Sequence, residues 1–168
     1  MEIRVLDFDI LTKNYKNYQD GIKSIAGEKN QFITKLGPLK SEMESIINAA
    51  KSGLVLDSNS QKQKEQRFSE LQQEAMRIDG DFKATMRELH DELNKTTFDE
   101  LSEFVNEWAT ENSIDLITGK MEVVFANKKY DATNDILEIL KSKDLYVEFV
   151  ETVNDQITDS VTQTAPQD

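Results

Sequence analysis

The sequence predicts an α+β protein in which a long antiparallel helical hairpin, a coiled-coil arm, stands on a small β body. Three observations predict it. Apolar residues recur in alternating steps of four and three from Leu11 to Ala50. Only six Gly and two Pro occur in 168 residues, so helices can run far before a breaker. Short apolar, partly β-branched segments flank these long runs. Hydrophobic residues make up 38%, aromatic residues 8% and charged residues 31%, a balance that suits long solvated helices better than a compact sphere.

Ile3 to Phe8 reads as a strand, with Ile3 and Val5 on one face and Arg4, Leu6 and Phe8 on the other. The period then changes. Leu11, Tyr15, Tyr18, Ile22, Ile25, Lys29, Phe32, Leu36, Leu39, Met43, Ile46 and Ala50 form a heptad seam whose one polar member is Lys29. Such a seam keeps a narrow apolar stripe on one side of a supercoiled helix. Lys29 can extend its stem along the stripe and keep its charge in water, or help to set register. Proline lacks a backbone donor, so Gly37-Pro38 predicts a kink, and the unbroken heptad phase predicts one bent helix over two separate ones.

Lys51 to Gln61 breaks the pattern with Gly53, Asp57, Ser58, Asn59 and Ser60, which are turn and capping residues. Leu54, Val55 and Leu56 within it read as the last packed turn of the coil more readily than as a sticky tip. Phe68, Leu71, Ala75, Ile78 and Phe82 resume the period. The heptad slips by a second step of four at Met86, after which Leu89 and Leu93 follow. Phe98, Leu101, Val105 and Trp108 carry a helical face to Asn112. Two such helices of roughly forty residues make an arm of about 60 Å.

Beyond Asn112, the apolar run Ile114, Leu116, Ile117, the pair Gly119-Lys120 and the alternating Met121, Val123, Phe125 predict a β-hairpin with a tight glycine turn. Asp131 or Thr133 opens a helix with Asp135 in its first turn and Ile136, Leu137, Ile139 and Leu140 on its buried side. Leu145, Phe149, Val153 and Ile157 recur every fourth residue and predict an amphipathic helix, and Thr162 to Asp168 reads as a disordered end. The predicted units are a β body of residues 1–8 and 113–144, an arm of residues 9–112, and an acidic C-terminal extension of residues 145–168. That extension holds Glu148, Glu151, Asp155, Asp159 and Asp168 and no Lys or Arg.

Charge and composition exclude several functions. Twenty Lys and Arg against 32 Asp and Glu give a net charge of −12, a field that repels phosphate backbones and disfavours nucleic acid. No apolar run approaches the ~18 residues of a spanning helix, so membrane insertion is not expected. With no cysteine, disulfides, thiolate metal sites and cysteine nucleophiles fall away together. His90, the one histidine, reads as a solvated helix residue, as do the acidic clusters Asp79-Gly80-Asp81 and Asp99-Glu100, which lack loop-ligand spacing. Asn94-Lys95-Thr96 matches a glycosylation pattern by chance within a predicted helix. Tyr15, Tyr18 and Phe32 follow the heptad and read as core. No phosphate loop, nucleophile elbow or paired catalytic constellation is present, so neither an enzyme nor a cofactor is expected. The first residues show no secretory signal. The compartment is cytoplasmic if Met1 is the native start and periplasmic if a signal has been removed.

Three short strands and one small helix bury little apolar surface alone, so the body is expected to oligomerise. The residues assigned to that body are Ile3, Val5, Leu116, Val123 and Phe125. The arm seam is assigned to Tyr18, Ile22, Ile25, Phe32, Leu36 and Leu39 on the outgoing helix and to Phe68, Leu71, Ile78 and Phe82 on the returning one.

The ends of the chain resemble the Skp/OmpH family. Val5-Leu6-Asp7-Phe8-Asp9-Ile10-Leu11 is similar to that family's opening strand and helix. Trp108-Ala109-Thr110-Glu111-Asn112 is similar to its helix exit, Glu122-Val123-Val124-Phe125-Ala126 to its hairpin, and Asp131-Ala132-Thr133 to its last helix start. The resemblance covers Ile3 to about Lys141 and implies a jellyfish-like homotrimer. It further implies an ATP-independent holdase that shelters unfolded or assembling proteins between its arms. No client-binding residue carries over, because the arm matches as a generic coiled coil. The acidic balance and the extension depart from the family's well-known members. They leave open a second reading, a structural or assembly component such as a virus-encoded scaffold, adaptor or virion protein.

Overall fold

The computed structural model describes residues 1–53 and 56–151. Strand β1 (Ile3–Leu6) opens the chain and leads into a short helix α1 (Phe8–Lys13). Asp7 caps α1 by accepting from the Ile10 amide at 3.2 Å. Helix α2 (Lys16–Lys51) runs out, and helix α3 (Ser58–Glu111) runs back. Their 36 and 54 residues correspond to lengths of about 54 and 81 Å. Strand β2 (Leu116–Gly119), a 3-10 turn at Lys120–Glu122, a second at Lys128–Tyr130 and helix α4 (Thr133–Ser142) complete the body.

The arm is antiparallel. Gly21 lies against Leu93, Phe32 stacks on Phe82 with ring centroids 5.1 Å apart, and Glu42 pairs with Arg67, so partners fall on α3 as they rise on α2. The predicted heptad is visible in the burial pattern. Phe32, Leu36, Leu39, Met43 and Ile46 are half-buried, whereas Ile33 and Ile47, one step off the seam, are exposed. Lys29 is exposed as well, which suits a charge kept in water. Ala50 ends outside the sheltered stripe. Helix α2 passes through Pro38 as one element, in line with the single helix expected there. The reversal falls between Lys51 and Ser58, where Asp57 caps α3 by accepting from the Asn59 and Ser60 amides at 3.0 and 2.9 Å. Leu54 and Val55 lie outside the described residues.

The body is knit from both ends of the chain. β1 and β2 pair in parallel, with Ile3 opposite Leu116 and Leu6 opposite Gly119. Beneath them Leu6, Leu11, Tyr15, Leu101, Val105, Ala132, Ile136 and Leu140 form one buried cluster. Helix α4 fits its prediction: Ile136 and Leu140 are fully buried, Leu137 and Ile139 pack beside them, and Asp135 sits in the first turn.

Four expectations are corrected. Phe8 begins α1 and does not extend the strand, because the Asp7 cap starts the helix there. Leu11 and Tyr15 keep heptad spacing but belong to the body core, since Tyr15 is extended (φ −85, ψ 121) and separates α1 from α2. The arm therefore starts at Lys16 and not at residue 9. The hairpin of residues 114–126 does not form among the described residues. Glu122 folds back so that its carboxylate accepts from the Thr118 hydroxyl at 3.0 Å and the Gly119 amide at 3.4 Å, which ends β2 and winds the chain into a 3-10 turn. β2 pairs with β1 alone, and Met121–Ala126 forms no ladder with its other edge. Lastly, Leu145 to Glu151 is not helical, because the backbone of Leu145, Val147 and Phe149 bonds to Asn14 and Lys16. Val153 and Ile157 lie outside the described residues, as does the end from Thr162 to Asp168.

Candidate binding surfaces

Two surfaces hold the side chains that the sequence singles out. The first lies on the body. After β2 ends, the chain crosses the sheet without a ladder partner and turns its apolar side chains outward. Met121 is 96% exposed, Phe125 84%, and Val124 fully. Apolar exposure of this density on a short segment marks a contact surface. Beneath it lies a cavity of about 310 Å³ in which Ile3, Val5, Val123 and Phe125 meet Thr118 and Tyr130. Four of the five assigned body residues thus come together. The fifth, Leu116, is half exposed at the start of β2 and stands outside that cavity.

Ionic contacts tie the underside of this face. The Asp131 carboxylate accepts from the Thr133 amide at 3.0 Å and the Thr133 hydroxyl at 2.6 Å, and that hydroxyl in turn accepts from the Asp7 amide at 2.9 Å. Burial alone would raise the Asp131 pKa. The Thr133 hydrogen bonds and the nearby Lys120 ammonium outweigh it and hold the carboxyl below its ordinary value. Lys120 also pairs with Asp7 at 3.2 Å, joining the turn after β2 to the start of α1.

The second surface is the arm. Among the assigned seam residues Ile25, Leu71 and Ile78 are buried, and Tyr18, Ile22, Phe32, Leu36, Leu39, Phe68 and Phe82 are half-buried. Phe32 and Phe82 meet across α2 and α3, whereas Tyr18 packs against the buried cluster of the body. Near the tip the helices part around a cavity of about 300 Å³ whose apolar wall includes Ile46, Ile47, Ala50, Leu56 and Phe68. Arg67 bridges the arm's outer face, donating to both Glu42 carboxylate oxygens at 2.7 and 2.9 Å. The guanidinium holds the Glu42 carboxyl below its ordinary range.

At the root of the arm, two features escape a reading of spacing. A Cβ on Gly21 would sit 2.4 Å from Leu93 Cδ1, so glycine leaves the room on α2 that the Leu93 side chain fills. The sequence signal was a glycine in a helical run, which by itself gives no partner. Tyr15, 1% exposed, donates its phenol hydrogen to Glu100 and accepts from Asn17 Nδ2 at 3.0 Å. Burial first, and the Glu100 carboxylate second, push the phenol pKa above its ordinary value. Its heptad spacing placed it in a core, but no spacing rule reveals Glu100 across the fold.

His90 is exposed on α3, as a solvated helix residue is. Among the described residues no three His, Cys, Asp or Glu gather closely enough to hold a metal ion, and no helix is long and apolar enough to cross a membrane.

The whole defines a class of protein: a two-helix coiled-coil arm rooted in a small α+β body that presents an apolar face. Within that class, the family model described as outer membrane protein (OmpH-like) matches residues 2–140, and the chain belongs to this family. No curated protein compared with the chain matches it.

Proposed function

We propose that this protein is an ATP-independent holdase-type chaperone. It assembles as a homotrimer through the body face around Met121–Ala126 and shelters unfolded or assembling protein chains between its arms. The observation that carries this reading is family membership across both body and arm, residues 2–140. The fully exposed Val124 and the exposed Met121 and Phe125 support the assembly. They form an apolar surface that a single chain leaves in water, and a body this small gains most from covering it. The arms support the holding role, because long helices with a shallow apolar tip cavity offer many weak contacts, and weak contacts summed over several arms retain a client without a fixed site.

The test has two parts. Light scattering coupled to size exclusion measures the mass of the wild type and of Val124→Asp. Val124 is fully exposed in the single chain, so the substitution leaves the monomer fold intact. A trimer that falls to monomer in the variant supports the assembly; an unchanged mass refutes this face. An unfolded outer-membrane β-barrel protein is then diluted from urea with stoichiometric protein. Suppressed aggregation without ATP supports a holdase. Undiminished aggregation, with stoichiometric capture of one folded partner from the native source, makes the protein a structural or assembly component.

A further inference from the structure

We propose that residues 144–149 are a strap that holds open the break between α1 and α2 and pins the root of α2 to the body. The strap lies outside the family-matched residues 2–140. The proposal rests on single-chain geometry alone and stands whether or not the protein is a holdase.

The break is one torsion wide. Asn14 has φ −96 and ψ 6, near the helical region, and only Tyr15, with ψ 121, leaves it. Returning that ψ to about −42° would join α1 and α2 into one helix. No proline or glycine occupies residues 8–20, so local sequence does not impose the break. Breaking a helix strands backbone groups that must find partners elsewhere. In a continuous helix the Lys16 amide would donate to the Thr12 carbonyl, and the Asn14 carbonyl would accept from the Tyr18 amide. Here the strap takes both places. The Lys16 amide donates to the Leu145 carbonyl at 2.8 Å, and the Val147 amide donates to the Asn14 carbonyl at 2.9 Å. The Phe149 amide adds a bond to Asn14 Oδ1 at 3.0 Å. Gln19 Nε2 covers the remaining Lys13 carbonyl at 2.8 Å.

Side chains hold the strap in register. Leu145 and Tyr146 pack on the buried cluster of the body. Lys141 lies 4.9 Å from the Tyr146 ring centroid and Lys13 5.8 Å from that of Phe149. The strap is thus a short strand added across a helix break, and the break persists because the strap satisfies what it exposes. Releasing the strap leaves the Lys16 amide and the Asn14 carbonyl without partners, which loosens the first turn of α2.

Amide hydrogen exchange on the full-length chain tests this, comparing wild type with Val147→Pro, which deletes the amide donated to Asn14. The Lys16 amide, whose own acceptor is untouched, exchanges about tenfold faster if the strap leaves as a unit. The Gln19 amide, which bonds the Tyr15 carbonyl at 3.1 Å in the first turn of α2, speeds up with it. The Phe82 amide in mid-arm is the control and stays protected. If neither Lys16 nor Gln19 changes, the strap is not a unit and the proposal falls. If Lys16 alone changes, the strap merely covers one amide and does not pin α2, and the proposal falls equally. Should Val147→Pro fail to fold, Tyr146→Ala keeps every backbone donor and carries the same two readouts.

Discussion

Replacing Gly21 by alanine should destabilise the arm, although the same replacement elsewhere in α2 should stabilise it. Alanine in a helix interior gains about 1 kcal/mol over glycine. Gly27 shows that gain unopposed, because nothing lies within 4 Å of a Cβ built there. At Gly21 the new Cβ meets Leu93 Cδ1 at 2.4 Å, Cδ2 at 3.0 Å and Cγ at 3.2 Å, so the branched end of that side chain must move. Overpacking of that kind costs about 1–3 kcal/mol. The net effect of Gly21→Ala is then a loss of up to about 2 kcal/mol, and the two variants should differ by about 1–3 kcal/mol. Urea unfolding followed by far-UV circular dichroism, at one fixed protomer concentration, measures both. Leu93→Ala completes a double-mutant cycle. It removes the atoms that clash, so Gly21→Ala should regain its stabilising sign in that background. If Gly21→Ala stabilises as much as Gly27→Ala, Leu93 yields freely and close helix approach is not what the glycine supplies.

Two further predictions concern titration. Tyr15→Phe removes a buried hydrogen bond to a carboxylate and should cost about 1–2 kcal/mol near neutral pH by urea unfolding. Because the folded phenol pKa lies above the unfolded value of about 10, its contribution is whole below that value and is lost as pH rises through the folded one. The thermal midpoint of Tyr15→Phe should therefore fall less than wild type between pH 9 and 11, values chosen to span roughly the phenol range; equal falls would refute the assignment. Asp131 shifts the other way: its folded pKa lies below the unfolded value of 3.8, so it stabilises above that value and the benefit is lost as pH falls through the folded one. Asp131→Asn should flatten the acid limb of the stability profile, and an unchanged limb would show that the Thr133 bonds do not depend on charge.

Much of the arm was legible because a heptad is a local code. Each of Phe32, Leu36, Leu39, Met43 and Ile46 announces its face by distance from the last, and the capping run at Asp57–Ser60 announces the reversal. The body was legible in its elements and less so in its pairings. Helix α4 followed from its Asp131–Thr133 start and its apolar spacing. The 114–126 hairpin did not, because alternation at Met121, Val123 and Phe125 states which way side chains point but not whether a neighbouring edge is free. Leu145 and Phe149 show the same gap: a four-residue step fits a helix, but it was overridden by tertiary hydrogen bonds to Asn14 and Lys16 that no local pattern encodes. The candidate surfaces divide in the same way. Ile3, Val5, Val123 and Phe125 line one cavity, whereas Leu116, opposite Ile3 in the parallel pair, does not line it, and no local pattern states that register.

That parallel pair also sets an order of events. Strand β1 is synthesised before both long helices, yet its partner, Leu116 to Gly119, arrives after them. Closing a flexible loop between two such distant segments carries an entropic cost that grows with the loop. Zipping α2 onto α3 folds most of that loop away and delivers the two strand ends to the same place. The arm is then the folding scaffold of the body as well as its appendage, and a lesion far out on the seam should delay formation of a sheet it never touches.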